Sequence, residues 1–249
     1  MTEFGWLHRQ HNGRAKWLGT ISESLIMHQE IEPAILYLGT PVVLVSTLNA
    51  NGTANLSPMS SAWWLGWSCM LGFDASSKTV ENLTRTKECV LNLASADLAA
   101  HVDRLARTTG SDPMPLHKQM MGYEFIEDKF AAAGLTSQPS LDVEAPRISE
   151  CPIQLEAKLQ SVRPFAQDDP RMKIPAVCME VRITRVHAAP EILSQAFQDR
   201  IDPERWNPLL MSFLQFFGRG ANVLPSRLAQ IPEESWGGRR PRPHVAGPA

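Results

Sequence analysis

Residues 41–57 read PVVLVSTLNANGTANLS. Pro41 to Leu48 is apolar and rich in β-branched side chains, the composition of a strand. Asn49 to Gly52, NANG, is an Asn/Gly turn signal, and TANLS then begins a second short strand, so the pattern predicts a β-hairpin. Downstream, WWLGWSCMLGF from Trp63 to Phe73 is a third apolar run, with Gly66 and Gly72 marking bends or close backbone approach. A short helix to Thr86 follows, and then ECVLNL, Glu88 to Leu93, as a fourth strand. SADLAAHVDRLA predicts a helix capped by Ser95, with Leu98, Val102 and Leu105 on one face. CPIQLEAKLQSV and AVCMEVRITRVHA alternate apolar and polar residues as half-exposed antiparallel strands do. The expected fold is mainly β: an antiparallel barrel with helical additions.

Around this body the chain divides into an N-terminal extension (1–30), a main domain (31–222) and a Pro/Gly/Arg-rich tail (223–249). The tail has little to bury and reads as disordered or as an arm that wraps a partner. The segment from Thr108 to Pro146 is loop-rich, and is expected to cover something rather than to build the sheet.

Composition removes several classes of function. The 249 residues are 43% hydrophobic, enough for a sizeable core, and 24 Lys+Arg against 26 Asp+Glu leave a net charge of −2. A near-neutral balance argues against nucleic acid or an acidic membrane surface as the main partner. No charged residue occurs between Glu32 and Asp74, but Gly39, Pro41, Asn49, Gly52 and Pro58 interrupt that stretch too often for a transmembrane helix. A buried sheet with a neutral binding face is the better reading. Cys69, Cys89, Cys151 and Cys178 are far apart and form no CxxC pair, as expected of buried thiols in a cytoplasmic protein. MTEFGWLHRQ, the amino terminus, has no apolar run that would serve as a signal peptide.

Two short segments carry the chemistry. In NLSPMSSAWW the residues Asn55, Ser57, Met59, Ser60 and Ser61 lie at the end of the second strand, just before Trp63 and Trp64. Small hydroxyls and an amide beside aromatic surface suit a flat, polar-edged heterocycle. In ASSKTVENL the residues Ser76, Ser77, Lys78 and Thr79 gather hydroxyls and one ammonium at a helix start, followed by Asn82. One serine suffices to cap a helix, whereas this cluster, with the free N–H groups and the helix dipole, suits a phosphate. A ring at one end and a phosphate at the other describe a mononucleotide such as FMN. Each segment alone also has a plainer reading: an N-cap, a turn, and two core tryptophans.

GTPVVLVST, then GTANLSPMSS, SSKTVENL and ECVLNL, in this order and spacing, resemble the flavin reductase-like family of FMN-binding split β-barrels. The similarity runs over roughly residues 35 to 220. The resemblance implies that Asn55, Ser57, Met59, Ser60 and Ser61 lie along the flavin ring and ribityl chain. It further implies that Ser77, Lys78, Thr79 and Asn82, beside Ser76, hold the phosphate, and that the protein is a homodimer. The activity it implies is that of an oxidoreductase carrying hydride from NADH or NADPH to FMN, with a monooxygenase or electron-transfer partner. A Gly-Asp-His near the carboxyl end, found in short NADH-dependent reductases, is missing here, and the longer chain looks closer to the flavoredoxin-like branch. An FMN-binding electron carrier without direct nicotinamide activity is therefore the competing reading. Catalytic acids or bases are not named, because the flavin carries the chemistry.

Other candidates are weaker. His8 and His11 have an H-x-x-H spacing without a third ligand, and no metal site is expected. His101 reads as a satisfied or surface residue, and His187, ending a strand, either approaches a ligand or faces water.

Overall fold

The computed structural model describes residues 28–197, 199–224, 226–231 and 235. His8, His11 and most of the Arg/Pro tail lie outside the described residues. Residues 28–34 carry no regular structure, and the body of the fold begins at Ile35.

The strands are β1 (Leu38–Pro41), β2 (Val43–Leu48), β3 (Ala54–Met59), β4 (Ala62–Leu65) and β5 (Ser68–Asp74), followed by helix α1 (Lys78–Thr86) and β6 (Glu88–Leu93). Short elements then alternate: α2 (Ala99–Asp103), β7 (Thr108–Thr109), α3 (Leu116–Met120), β8 (Glu124–Phe125), α4 (Lys129–Ala133), β9 (Ser137–Gln138) and β10 (Arg147–Ile148). Two 13-residue strands, β11 (Ile153–Phe165) and β12 (Ala176–Ala188), and a small pair, β13 (Leu210–Ser212) and β14 (Gln215–Phe217), complete the fold. Seven strands form one antiparallel sheet in the order β3-β2-β6-β11-β12-β5-β4. The mainly β, antiparallel class expected from the sequence is what the chain adopts.

The unbroken burial of β2 from Val43 to Thr47 has a geometric cause. Successive side chains of a strand point to opposite faces, and both faces of β2 are covered. Val43 and Val45 join a core with Leu71, Leu91, Leu155, Met179 and Val181, while Leu44, with Val42 just before the strand, joins a second with Leu98, Val102, Leu105, Phe130 and Ile148. Helices α2 and α4 supply part of that second layer, whereas α1 packs Val80 and Leu83 into the first core. On β5 only alternate residues are buried, as befits a strand with one core face.

Several local readings need correction. WWLGWSCMLGF is two strands rather than one run, β4 and β5, turned at Gly66 with φ +57°. Strand β3 continues through Pro58, which pairs with Leu44. The sheet tolerates the missing N–H because β3 is an edge strand. Ser95 makes no side-chain cap; its backbone bridges to Pro208, and the helix begins as a 3₁₀ turn, Ala96–Leu98. The apolar face expected there does form, with Leu98, Val102 and Leu105 all buried. Among the described residues no helix is long and apolar enough to cross a membrane.

Candidate functional site

Helix α1 starts where β5 ends. Ser77 is its N-cap in an extended conformation, and its hydroxyl accepts from Val80 N at 3.3 Å. Ser76 turns back, donating its N–H and its hydroxyl to Asp74 Oδ1, both at 2.8 Å. These two serines therefore shape the helix start. The N–H groups of Lys78 and Thr79 meet no acceptor among the described residues, as first-turn donors do unless a ligand or cap supplies one. The Lys78 ammonium reaches Glu81 at 2.8 Å.

The buried side of α1 is polar where it meets the β2–β3 hairpin. Thr79, Asn82, Thr47 and Asn55 are all at most 2% exposed. Asn55 Nδ2 donates to Thr79 Oγ1 at 3.2 Å and to Thr47 Oγ1 at 3.5 Å. Asn82 Nδ2 donates to Thr47 Oγ1 at 3.2 Å and to Asn49 Oδ1 at 2.9 Å, so Asn82 ties the helix to the hairpin. Asn55 Oδ1 is left over: it is buried and has no hydrogen-bond partner. An unmet acceptor in such a place costs about 1–3 kcal/mol unless something supplies a donor.

Residues from the loop-rich middle close over this spot. A Cβ placed on Gly110 would lie 2.4 Å from Asn55 Oδ1 and 3.4 Å from Lys78 Cγ, so the loop can pass here only as glycine. His117 Nε2 meets Asp74 Oδ2 at 2.9 Å, and Lys118 Nζ lies 3.6 Å from the same oxygen. Burial alone would raise the Asp74 carboxyl, but the N–H and hydroxyl of Ser76, the His117 imidazole and the Lys118 charge outweigh it and hold Asp74 below the usual range. Lys129 is 3% exposed, and burial, helped by the charge of Lys118, brings its ammonium down to about 8. The first part of the segment 108–146 thus lies beside the helix start.

The structure thus brings Asn55, Ser77, Lys78, Thr79 and Asn82 together. Ser57, Met59 and Ser60 are half-buried further along, Ser61 is exposed, and none of their side chains makes a hydrogen bond among the described residues. Ser61 lends only its carbonyl, which accepts from Gly72 N at 2.8 Å. At ~3.3 Å per residue, Asn55 and Ser60 stand about 16 Å apart along the strand, so a ligand touching both is elongated. Thr47, Asn49 and Gly110 were missed by sequence reasoning. Thr47 and Asn49 sat inside segments already read as strand and turn, and a lone glycine 55 residues from its neighbour carries no local signal.

The remaining candidates take structural roles. His187 Nε2 lies 2.6 Å from the buried carboxylate of Glu156, and His101 Nδ1 lies 2.9 Å from the Ala133 carbonyl. Burial pushes the Cys69 thiol up to about 12 and raises Cys89 and Cys151 as well, which leaves them poor nucleophiles.

Residues 36–212 match the family model described as flavin reductase like domain. An uncharacterized protein of Bacillus subtilis (strain 168), YdfE, is 38% identical over 195 residues, 78% of this chain and 91% of that protein. Among solved structures, flavoredoxin of Desulfovibrio vulgaris (Miyazaki F) superposes with a TM-score of 0.65 at 19% identity, covering 82% of this chain and 100% of the other. Nitrilotriacetate monooxygenase component B of Bacillus cereus gives 0.62 at 17% identity, over 80% and 99%. At those identities the structures speak for the shared split-barrel fold alone. On the match over residues 36–212 and the identity to YdfE, the chain belongs to the flavin reductase-like domain family.

Proposed function

We propose that the protein is an FMN-binding oxidoreductase that accepts hydride from NADH or NADPH. The observation that carries this reading is the buried, unpartnered Asn55 Oδ1 beside the open N-terminus of α1. The two features ask for opposite partners in adjacent places. The amide oxygen wants a hydroxyl donor, and the N–H groups of Lys78 and Thr79, with the positive end of the helix, want an anion. A polyol chain ending in a phosphate meets both demands, and the ribityl phosphate of FMN is such a chain.

In this reading Thr79 Oγ1, which accepts from Asn55, keeps its own proton free for a phosphate oxygen. Lys78 adds charge. Ser57, Met59, Ser60 and Ser61 line the path from Asn55 toward the ring end. Bound there, the flavin supplies the hydride-accepting chemistry. The protein's own tasks are to fix the phosphate and ribityl chain and to leave one ring face open to the nicotinamide. No protein acid or base is required for that step; Cys69, Cys89 and Cys151 are buried, whereas Cys178, expected to be buried with them, is half-exposed.

The similarity to a monooxygenase component supports a role in supplying reduced flavin to an oxygenase partner. The hairpin of β4 and β5 exposes Trp63, Leu65 and Trp67 by 58, 77 and 43%, a surface that supports a homodimer. Light scattering of the FMN-loaded protein at micromolar concentration should give twice the chain mass, and a monomer with flavin still bound would remove the dimer.

For the reaction, anaerobic addition of excess NADH or NADPH to the FMN-loaded protein should bleach the visible flavin band, and air should restore it. A Ser60→Leu change, which crowds the ring end, should abolish the bleaching without unfolding the chain. Reduction by dithionite but by neither nucleotide would replace the reductase with an electron carrier fed by another protein.

A further inference from the structure

The segment that runs beside the start of α1 brings two lysines into the interior. Lys118 is 8% exposed and Lys129 3%. Lys118 Nζ has Asp74 Oδ2 at 3.6 Å, but that carboxylate also serves His117 and Ser76. Among the described residues Lys129 Nζ meets the Thr108 carbonyl, at 3.4 Å, and pairs with no carboxylate. Two buried ammonium groups thus share one carboxylate. A buried charge without a partner is costly, and an apolar side chain of similar volume in its place is often neutral or stabilising. Packing therefore gives no reason for a lysine at position 129.

The surroundings of Lys129 supply no anion of their own. Glu127 and Asp128 precede it in the chain, both exposed, and Asp128 caps α4 by accepting from Ala131 N at 2.9 Å. Helix α4 packs on β3, which carries no charged residue, and on α2. From α2, His101 and the adjoining Arg104 reach the Ala133 carbonyl, both at 2.9 Å, at the far end of α4, and Asp103 is exposed. The chain does lead from Lys129 to an anion position. Thr108, which receives the ammonium, is two residues from Gly110, at most about 7 Å of chain. A Cβ on Gly110 would lie 2.4 Å from Asn55 Oδ1 and 3.4 Å from Lys78 Cγ, at the phosphate end of the site. Lys118 reaches the same place through Asp74, which closes β5 just before α1 begins. Buried charges at such range are screened little by salt.

We propose that Lys129, backed by Lys118, supplies the buried positive charge that balances a phosphate dianion at the start of α1, so that binding of the flavin phosphate and protonation of Lys129 are coupled. The proposal rests on the phosphate placement of the preceding section. Its sign follows from the surroundings. Burial and the charge of Lys118 bring the empty site's Lys129 ammonium down to about 8. A nearby anion favours the charged form and raises it again. Phosphate binding is therefore strongest below pH about 8, and weakens with rising pH until the bound form loses the proton too.

Calorimetric titration of FMN and riboflavin into the flavin-free full chain, in two buffers of different ionisation enthalpy, counts the protons taken up. If the phosphate raises Lys129 by about one unit, FMN should take up roughly half a proton near pH 8.5. Riboflavin, which carries the same ring, should take up none. The phosphate itself does not contribute, because its second ionisation lies near 6. FMN affinity relative to riboflavin should fall roughly five- to tenfold between about pH 7 and 9.5. Lys129→Met should lower FMN affinity near neutral pH about tenfold, abolish both the uptake and the pH dependence, and melt no lower than wild type. If FMN outbinds riboflavin but takes up no more protons, and Lys129→Met binds both as wild type does, the balancing charge is wrong and the phosphate placement stands. If FMN binds wild type no better than riboflavin does, the phosphate placement falls and takes this role with it. Should the variant not fold, the proton count on wild type decides alone.

Discussion

Changing Lys78 and Thr79 together to Ala is expected to weaken FMN at least tenfold and to leave riboflavin nearly unaffected. The two ligands differ only in the phosphate. Hydrogen bonds to a charged group contribute roughly 1.5–3 kcal/mol each, and 1.4 kcal/mol is a factor of ten in affinity. The double change removes one ammonium and one hydroxyl, so a tenfold loss is the lower limit. The fold should respond unequally to the two substitutions. Among the described residues Lys78 is paired with Glu81 alone, whose carboxylate is exposed, a contact worth about 0–1 kcal/mol, so Lys78→Ala should melt almost like wild type. Thr79 is buried and receives the Asn55 amide, so Thr79→Ala strands that donor at about 1–3 kcal/mol. Thr79→Ser keeps the hydroxyl and should retain FMN affinity, which separates the phosphate contact from the packing. Titration of both flavins against each variant decides the matter: equal losses for FMN and riboflavin would place the phosphate elsewhere.

What could be read from the sequence was local. The hairpin of β2 and β3 was legible because NANG is a turn signal and the runs flanking it are β-branched. The start of α1 was legible because Ser77 precedes a helical pattern at capping distance. Ser95 misled for the same reason. A capping residue stands before an apolar periodicity, but the backbone of Ser95 pairs with Pro208, more than a hundred residues away, and tertiary pairing overrides the local preference. The site was legible in its two segments but not in its closure. Nothing near Gly110 announces that its missing side chain makes room for Asn55 and Lys78. Nor does anything near His117 announce that it meets Asp74, 43 positions earlier. The plainer readings of Ser76 and Ser77 also hold in part, since both hydroxyls are engaged within the turn. The groups left to receive a phosphate are the backbone N–H donors, Lys78 and Thr79 rather than the serine hydroxyls.

The same long-range logic governs the largest stability effect expected in the chain. Glu156 on β11 is fully buried, with 0% exposure. Its two oxygens accept from the N–H groups of Leu141 and Asp142 and lie 2.6 Å from His187 Nε2. These contacts fasten the segment between β9 and β10 over the sheet, and Arg185 holds Asp142 from the neighbouring strand at 2.7 Å. Burial alone would raise the Glu156 carboxyl, but the two backbone donors and His187 outweigh it and depress it below the usual value of 4.5. A group depressed in the folded state contributes its full stability above the unfolded value and loses it as pH falls through the folded one. Glu156→Ala leaves two N–H groups and an imidazole without their partner, and breaking such a buried cluster costs about 3–5 kcal/mol. For a domain of this size that is a drop in Tm of roughly 6–20 °C near neutral pH. The gap to wild type should narrow as the pH is lowered below about 4.5, because wild type then protonates the carboxylate that the variant lacks. Asp74, Asp142 and Glu150 are depressed too, so both proteins weaken in acid, and only their difference isolates Glu156. Denaturant unfolding of both across that pH range measures it. A difference that stayed constant with pH would show that the loss comes from packing volume, and that the ionised carboxylate is not what fastens the segment.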